Sequence, residues 1–204
     1  MPLNFPASPT TGQTYTYTGT TWTWNGSSWN VVSSGNFSSI TVSGDILPTS
    51  NAVSNIGSVT SQFADIYGTA YRARYADLAE RYEADAPYDY GTVLVFGGDK
   101  EVTISTTSNQ NAIAGVVSQN PALMMNSSAG DDDTHPYVAL QGRTPVKVVG
   151  IIQKGDILVS SETPGHARSW QSTTQDPRMT AYIGIAIEDK FDEEPGYIEV
   201  KVGK

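Results

Sequence analysis

The chain has 204 residues, 38% of them hydrophobic and 16% charged, with a formal net charge of −9. This acidic balance argues against unaided binding to nucleic acid or anionic membranes, and the absence of cysteine excludes disulfides and thiolate–zinc sites. The sequence contains no run of eighteen apolar residues, so we expect no membrane insertion. The N-terminal MPLNFPASPT lacks the basic region and apolar core of a signal peptide. Ser, Thr, Asn, Gln and Gly take the place of apolar and charged residues, which favours a mainly β protein.

Near the N-terminus, threonine alternates with aromatic residues in TYTYTGTTWTWNGSSWNV. Such alternation places the aromatic side chains on one face of a strand and the threonines on the other. Asn25-Gly26 is typical of a type I′ hairpin turn, and Gly19 suits a bend. We expect residues 1–33 to form a short β-meander that packs against a partner, because so short a module does not stabilise itself easily.

The tryptophans of this module support two interpretations. Flat rings stack on sugar faces, so they suit a carbohydrate-binding adhesin module. Alternatively, they form the core of the module, because few other large apolar residues lie nearby. We favour the core, in which at most one ring is spared for a ligand, since each aromatic ring buries roughly 150–250 Å². The residues concerned are Trp22, Trp24 and Trp29.

Residues 34–84 begin as a polar stretch in which short apolar pairs are separated by Gly, Ser and Asn. A single chain of this composition cannot bury enough apolar surface to offset the entropy of ordering it. We therefore expect neighbouring copies to order the segment as a thin, intertwined β shaft around a threefold axis. The expected trimer core consists of Ile40, Val42, Ile46, Ile56, Phe63 and Ile66.

The spacing of apolar residues changes in AYRARYADLAERYEAD. Tyr71, Tyr75, Leu78 and Tyr82 recur at the period of one helical face, and Pro87 supplies a stop. The spacing predicts a short helix at the end of the shaft.

The remainder, residues 85–204, contains an internal repeat. GTVLVF after Tyr90 resembles GDILVS after Lys154, and AIAGVVS from Ala112 resembles YIGIAIE from Tyr182. Each half is a glycine-led strand, a polar loop and an apolar strand, followed by a further strand. Short apolar strands bounded by Gly, Pro, Asp and Asn predict a β-barrel or sandwich with pseudo-twofold symmetry, in which strands beginning near Val93 and Ile157 are equivalent.

Several strings together resemble a known family. The run NIGSVTSQFADIYGTAYRARYADLAERYEAD resembles the junction between shaft and C-terminal domain in bacteriophage fibre proteins, especially those of marine cyanobacterial phages. The strings that follow it, from GTVLVF to YIGIAIED, are similar to the peptidase G2 intramolecular-chaperone domain. The N-terminal TYTYTGTTWTWNGSSW resembles a short module of such phage proteins. This resemblance implies a C-terminal domain that trimerises at the end of an appendage and helps to fold its shaft.

In that family, self-cleavage relies on a hydroxyl nucleophile and a nearby acid at the junction. The corresponding candidates are Ser58 or Ser61, with Asp65 or Asp77. None matches a catalytic motif residue by residue, and the shaft is short. We therefore expect no enzymatic activity, with the self-cleaving chaperone as an alternative.

Other polar groups carry weaker signals. Asp131, Asp132, Asp133 and His135 could offer oxygen ligands to a hard cation, but the spacing matches no EF-hand, so we expect a solvated loop and no metal or cofactor. His166 is expected in a loop. Further polar features are a hairpin turn at 97–100, an acidic turn at 192–195, and Arg143, which suits an intersubunit salt bridge and a solvated surface equally.

These patterns predict a structural component of a phage virion, a homotrimeric tail fibre or fibre-like protein. It would be made in the host cytoplasm and would serve assembly and host attachment. Its expected partners are its own copies, other tail, baseplate or capsid proteins, and a host surface glycan. The expected parts are an attachment or adhesion module (1–33), a shaft with a helix (34–84) and a C-terminal trimerisation domain (85–204).

Overall fold

The computed structural model describes residues 4–32, 40–170 and 179–203. The chain forms two compact units, Met1–Tyr67 and Gly68–Lys204. In the described ranges the regular structure consists of β-strands and one 3-10 turn, Met179–Ala181, which confirms the mainly β fold. No helix in these ranges is long and apolar enough to cross a membrane. The boundary expected between residues 33 and 34 lies outside the described residues.

The N-terminal unit contains the expected meander. Three antiparallel strands lie in the order β1 (Thr14–Tyr17), β2 (Thr20–Trp24) and β3 (Trp29–Val32). A two-residue turn, Thr18-Gly19, joins β1 to β2. Both residues have positive φ, at 46° and 83°, as a type I′ turn requires.

The turn at Asn25-Gly26 differs from its prediction. The connection between β2 and β3 covers residues 25–28, with the Asn25 N–H bonded to the Ser28 carbonyl. The Asn25 side-chain oxygen accepts from the amides of Ser27 and Ser28, at 2.9 and 2.8 Å. An Asx turn therefore closes this hairpin, because asparagine can bond its own backbone two residues on.

The C-terminal unit is one continuous sheet. Its strands are β4 (Asp77–Arg81), β5 (Val93–Phe96), β6 (Val102–Ile104), β7 (Ile113–Val117), β8 (Leu123–Met125), β9 (Tyr137–Val148), β10 (Ile157–Ser160), β11 (Ala167–Ser169), β12 (Tyr182–Ala186) and β13 (Gly196–Val202). The main path runs β11-β10-β12-β13-β9-β7-β5-β6, and β4 pairs with β9 and β8.

This path closes into two barrels that share the long strand β9. The C-terminal half of β9 pairs with β13, and β11 returns to β9 through Ala167 and Val148. The N-terminal half of β9 pairs with β4 and β7. Just after β4, Ala84 bridges Val102 of β6 in parallel, as Val148 bridges Ala167. Each barrel thus has five strands in the same order.

The two barrels correspond residue by residue, which confirms the predicted repeat. Leu94 of β5 lies opposite Gly115, Leu158 of β10 lies opposite Gly184, and a β-bulge follows in both pairs. A Cβ on Gly115 would lie 2.3 Å from the Ala139 carbonyl oxygen, and one on Gly184 would lie 2.3 Å from its counterpart on Lys201. No side chain fits at such distances, so both bulges require glycine.

The cores repeat as well. Six buried residues of the first barrel have counterparts in the second, and two tyrosines beside the first core correspond to buried aliphatic residues beside the second. The corresponding core residues, with the first barrel named first, are Ala84 and Val148, Leu94 and Leu158, Val102 and Ala167, Ala114 and Ile183, Val117 and Ala186, and Val138 and Val200. The two tyrosines and their aliphatic counterparts are Tyr82 and Val146, and Tyr88 and Ile152.

The predicted helix between Tyr71 and Tyr82 is wrong, because its C-terminal half is strand β4 and its N-terminal half has no regular structure. Leu78 and Ala79 pair with β8 on one side and with β9 on the other. Both edges of β4 are therefore bonded, and this pairing overrides the helical spacing of the tyrosines. The C-terminal unit consequently begins at Gly68, before the boundary expected at residue 85.

Candidate assembly surface

Residues 40–67 expose most of their apolar side chains. Ile56 is 80% exposed and Phe63 is 62% exposed. The other expected trimer-core residues are exposed as well: Ile40, Val42, Ile46 and Ile66. Val59 and Tyr67 add further exposed apolar area. Covering one such side chain contributes roughly 1.5–3 kcal/mol, so a partner that covers the segment gains substantial stabilisation.

Internal hydrogen bonding in this segment is local. The amides and carbonyls of Ser58 and Ser61 bond each other, at 3.0 and 3.3 Å, and the Ser61 amide also donates to the Ser58 hydroxyl. Among the described residues 40–67, this bridge is the backbone pairing present. The segment thus leaves both its apolar side chains and most of its backbone groups available to other chains.

The exposed stretch continues into the C-terminal unit. Tyr71 is 84% exposed and Tyr75 is 46% exposed, and they alternate with Arg72 and Arg74. In the described part of the chain, residues 71–75 make no backbone hydrogen bond. The Arg74 guanidinium lies over the Tyr75 ring in a cation–π contact. We call Tyr71–Tyr75 the entry segment, because it leads directly into β4.

The aromatic residues of the N-terminal module pack on one another. The Phe5 ring stacks on Trp29 with centroids 5.0 Å apart and meets the edge of Trp22 at 5.4 Å. Tyr15 lies 5.2 Å from Phe5, and Trp24 lies 5.7 Å from Trp29. Cross-strand register explains this cluster, since Tyr15 lies opposite Trp22 and Trp24 lies opposite Trp29.

The three proposed sugar-binding residues are therefore placed together, each half-buried. The Phe5 ring stacks on Trp29 and meets Trp22 edge-on, and Trp24 packs against Trp29. Carbohydrate binding by Trp22, Trp24 and Trp29 stays a prediction.

The acidic loop before β9 is held by internal contacts. Asp132 forms an ion pair of 2.8 Å with Arg81, and the Asp131 carboxylate accepts from the amide and hydroxyl of Thr134. These bonds lower the pKa of Asp131. No group of three potential metal-ligating side chains occurs in the described ranges.

The other polar features lie in loops and turns. His166 bonds the Pro164 carbonyl through Nδ1, Gly97 closes a hairpin to Glu101, and Lys190 pairs with Asp192 at 2.6 Å. Arg143 is exposed on β9.

A cavity of about 370 Å³ lies between the entry segment and β9. Asp77 lies on its wall and is only 5% exposed, and its Oδ2 has no hydrogen-bond partner within the described residues. Burial raises the pKa of this carboxyl, against the opposing effect of a hydrogen bond with Ser118. The Ser58 hydroxyl bonds the Thr60 hydroxyl and accepts from the Ser61 amide, and Ser61 and Asp65 are exposed.

Sequence reasoning missed the surface formed by β8. This strand pairs with β4 alone, so its other edge has no partner in the described part of the chain. Leu123 and Met124 are each 54% exposed on it. The apolar run ALMM between Asn-Pro and Asn-Ser is the signal that could have found it.

No family model matches the chain, so none supports the peptidase G2 family, and no curated protein matches it. Among solved structures, the chain is similar to the head fiber gp8.5 N base of bacteriophage phi29, with 17% identity and a TM-score of 0.33. The match covers 62% of this chain and 96% of that chain. A likeness at this level establishes neither a family nor a function.

Proposed function

We propose that the protein is a structural component of a phage virion, a homotrimeric fibre or fibre-like appendage used in assembly and host attachment. The observation that carries the proposal is the exposed apolar surface of residues 40–67, in a chain whose C-terminal unit buries its own cores. The sequence resemblance to cyanophage fibre proteins supports the phage assignment.

Three copies around an axis account for this surface. In a closed symmetric ring each copy offers the same residues to its neighbours, so even a thin segment gains a continuous apolar interior. Ile56 and Phe63 then face the axis, while the serines, threonines and asparagines between the apolar pairs face solvent. The duplicated barrel closes the assembly at one end, and the aromatic module contacts the particle or the host.

A charge introduced at the axis tests the proposal. Ile56→Asp places three carboxylates together in an apolar interior, which costs far more than the same change on a solvated surface. Ser54→Asp, two residues away and exposed, is the matched control. Sedimentation velocity should show Ile56→Asp dissociated toward single chains, and Ser54→Asp trimeric like the parent.

The opposite result is equally clear. If Ile56→Asp sediments as the same trimer as the parent protein, Ile56 is not in the interior and the proposed shaft is wrong. A parent that sediments as a single chain overturns the trimer itself.

A further inference from the structure

We propose that the entry segment of one copy, Tyr71–Tyr75, adds as a strand to the free edge of β8 in the neighbouring copy. This inference rests on the proposed trimer and specifies where its C-terminal units meet. It concerns a contact between two segments of neighbouring copies, each of which lacks a strand partner among the described residues of its own chain.

The first observation is the duplication of the barrel. Nearly every strand of the first barrel has a counterpart in the second, including the bulges and the glycines opposite them. Strand β8 has none, because the loop between β12 and β13 contains no strand. The second barrel closes without such a strand, so β8 is not needed to complete the fold.

The second observation is the state of β8 itself. Its inner edge pairs with Leu78, Ala79 and Glu80 of β4, and its outer edge is open in the described ranges. Leu123 and Met124 remain more than half exposed. An open edge with apolar side chains is a template for an added strand, and folded proteins normally cover such an edge.

The third observation is the entry segment. Its residues alternate between tyrosine or alanine and arginine, which is the period of a strand, yet they make no backbone hydrogen bond within the described chain. Tyr71 and Tyr75 are exposed. Unpaired strand-like residues thus complement an unpaired strand edge.

Charge selects a second copy as the occupant. Arg72 and Arg74 have no acidic partner in the described chain, whereas β8 is followed by a loop that carries Asp131–Asp133, of which only Asp132 forms an ion pair there. Asp132 bonds Arg81 at the C-terminal end of β4, while the entry segment joins the N-terminal end. The arginines and aspartates of one chain are therefore separated by the length of β4. Pairing between copies would give both the arginines and the aspartates a partner of opposite charge.

Cysteine cross-linking tests the contact cleanly, since the chain has no natural cysteine. Ala73 and Met124 lie at the centres of the two segments, so a variant with Ala73→Cys and Met124→Cys should form disulfides between adjacent copies under mild oxidation. Paired strands bring Cα atoms to about 5 Å, within the range a disulfide needs. Each copy would be linked to the next, which gives a covalent trimer on a non-reducing denaturing gel.

The control pairs Ala73→Cys with Asp99→Cys, which is exposed on the hairpin between β5 and β6. It should give little covalent product. Light scattering on the same samples separates two failures. A trimer that does not cross-link through Ala73 and Met124 overturns the strand addition and leaves the proposed function standing, whereas a single-chain mass overturns both.

Charge reversal supplies a second readout. Arg72→Glu with Arg74→Glu should weaken the trimer, and adding Asp131→Lys with Asp133→Lys should restore it. Reversals that leave the trimer unchanged, or that are not rescued by the second pair, contradict the charge pairing between copies.

Discussion

Leu94 and Leu158 are fully buried in the C-terminal unit, whereas Ile56 and Val59, in residues 40–67, are 80% and 92% exposed. Both regions alternate short apolar groups with Gly, Ser and Asn, so composition does not separate them. Closure does. Each barrel returns to its first strand, through Ala84 and Val102 or through Val148 and Ala167, whereas the backbone pairing found in the described residues 40–67 is the single bridge between Ser58 and Ser61. The first region is complete within one chain, and we propose that other chains complete the second.

The largest expected effect comes from opening the closed region. Leu94→Ala and Leu158→Ala remove equivalent fully buried side chains, and each should lower the free energy of unfolding by about 2–5 kcal/mol. Ile151→Ala, at a position that is 50% exposed, should change it far less. Urea denaturation of the full chain measures all three. Equal small losses at Leu94 and Ile151 would contradict the description of the barrels as closed cores.

The two bulge glycines should give the next largest effect. Gly115→Ala and Gly184→Ala each place a methyl group 2.3 Å from a carbonyl oxygen, so the backbone must shift at a cost of about 1–3 kcal/mol. Gly68→Ala is the matched control, because the nearest atom to its Cβ position is the Ala70 carbonyl oxygen at 3.9 Å, an ordinary contact. Thermal unfolding should show similar losses in both barrels and none in the control. A loss in one barrel only would contradict their equivalence.

The aromatic module should respond to the loss of its stacking ring. Phe5→Ala removes contacts to Tyr15, Trp22 and Trp29, and each aromatic pair is worth about 0.5–1.5 kcal/mol beyond its buried area. Tryptophan emission should shift to the red and acrylamide should quench it more strongly.

Phe191→Ala is the control, because this ring is 83% exposed. If emission of the parent protein is already that of solvated indoles and added glycan alone protects it, the tryptophans form an open sugar-binding face instead.

The smallest expected effect concerns the buried Asp77. Because burial raises the pKa of its carboxyl in the folded state, the protonated form is favoured there. Its contribution to stability is present below the pKa of an unfolded aspartate, about 3.9, and is lost as pH rises through the folded value. Asp77→Asn should therefore gain stability relative to the parent at pH 7, and the difference should shrink toward pH 3. A difference between Asp77→Asn and the parent that does not change between pH 7 and pH 3 would contradict the burial effect.

The prediction from sequence agrees with the structure for the duplicated barrel, where similar strings recur along the chain. The glycine-led strings around Leu94 and Leu158 reveal the duplication, because each barrel needs the same bulge opposite a glycine. The helical spacing from Tyr71 to Tyr82 misleads, since the bonds that make β4 a strand come from β8 and β9, far along the chain. The repeat recognised in the sequence begins at Tyr90. Tyr82 and Ala84, which precede it, correspond to Val146 and Val148 of β9, and β4 could be predicted as a strand only by extending the repeat toward the N-terminus to include them.

The candidate surface is partly visible in the sequence for the same reason. Apolar pairs in a polar segment indicate side chains without an internal core, as found for Ile40 and Ile66. The apolar run Leu123–Met125 is visible in the sequence, but its open edge depends on which strands pair with it. The run by itself therefore does not reveal that edge.

Light scattering of the unaltered chain across a concentration series tests the central claim most directly. One chain has a mass of 21.9 kDa. If the exposed apolar residues of 40–67 are covered by two further copies, the measured mass is three times that value and stays constant at micromolar concentrations. A well-folded β protein with the mass of one chain at every concentration would contradict the claim.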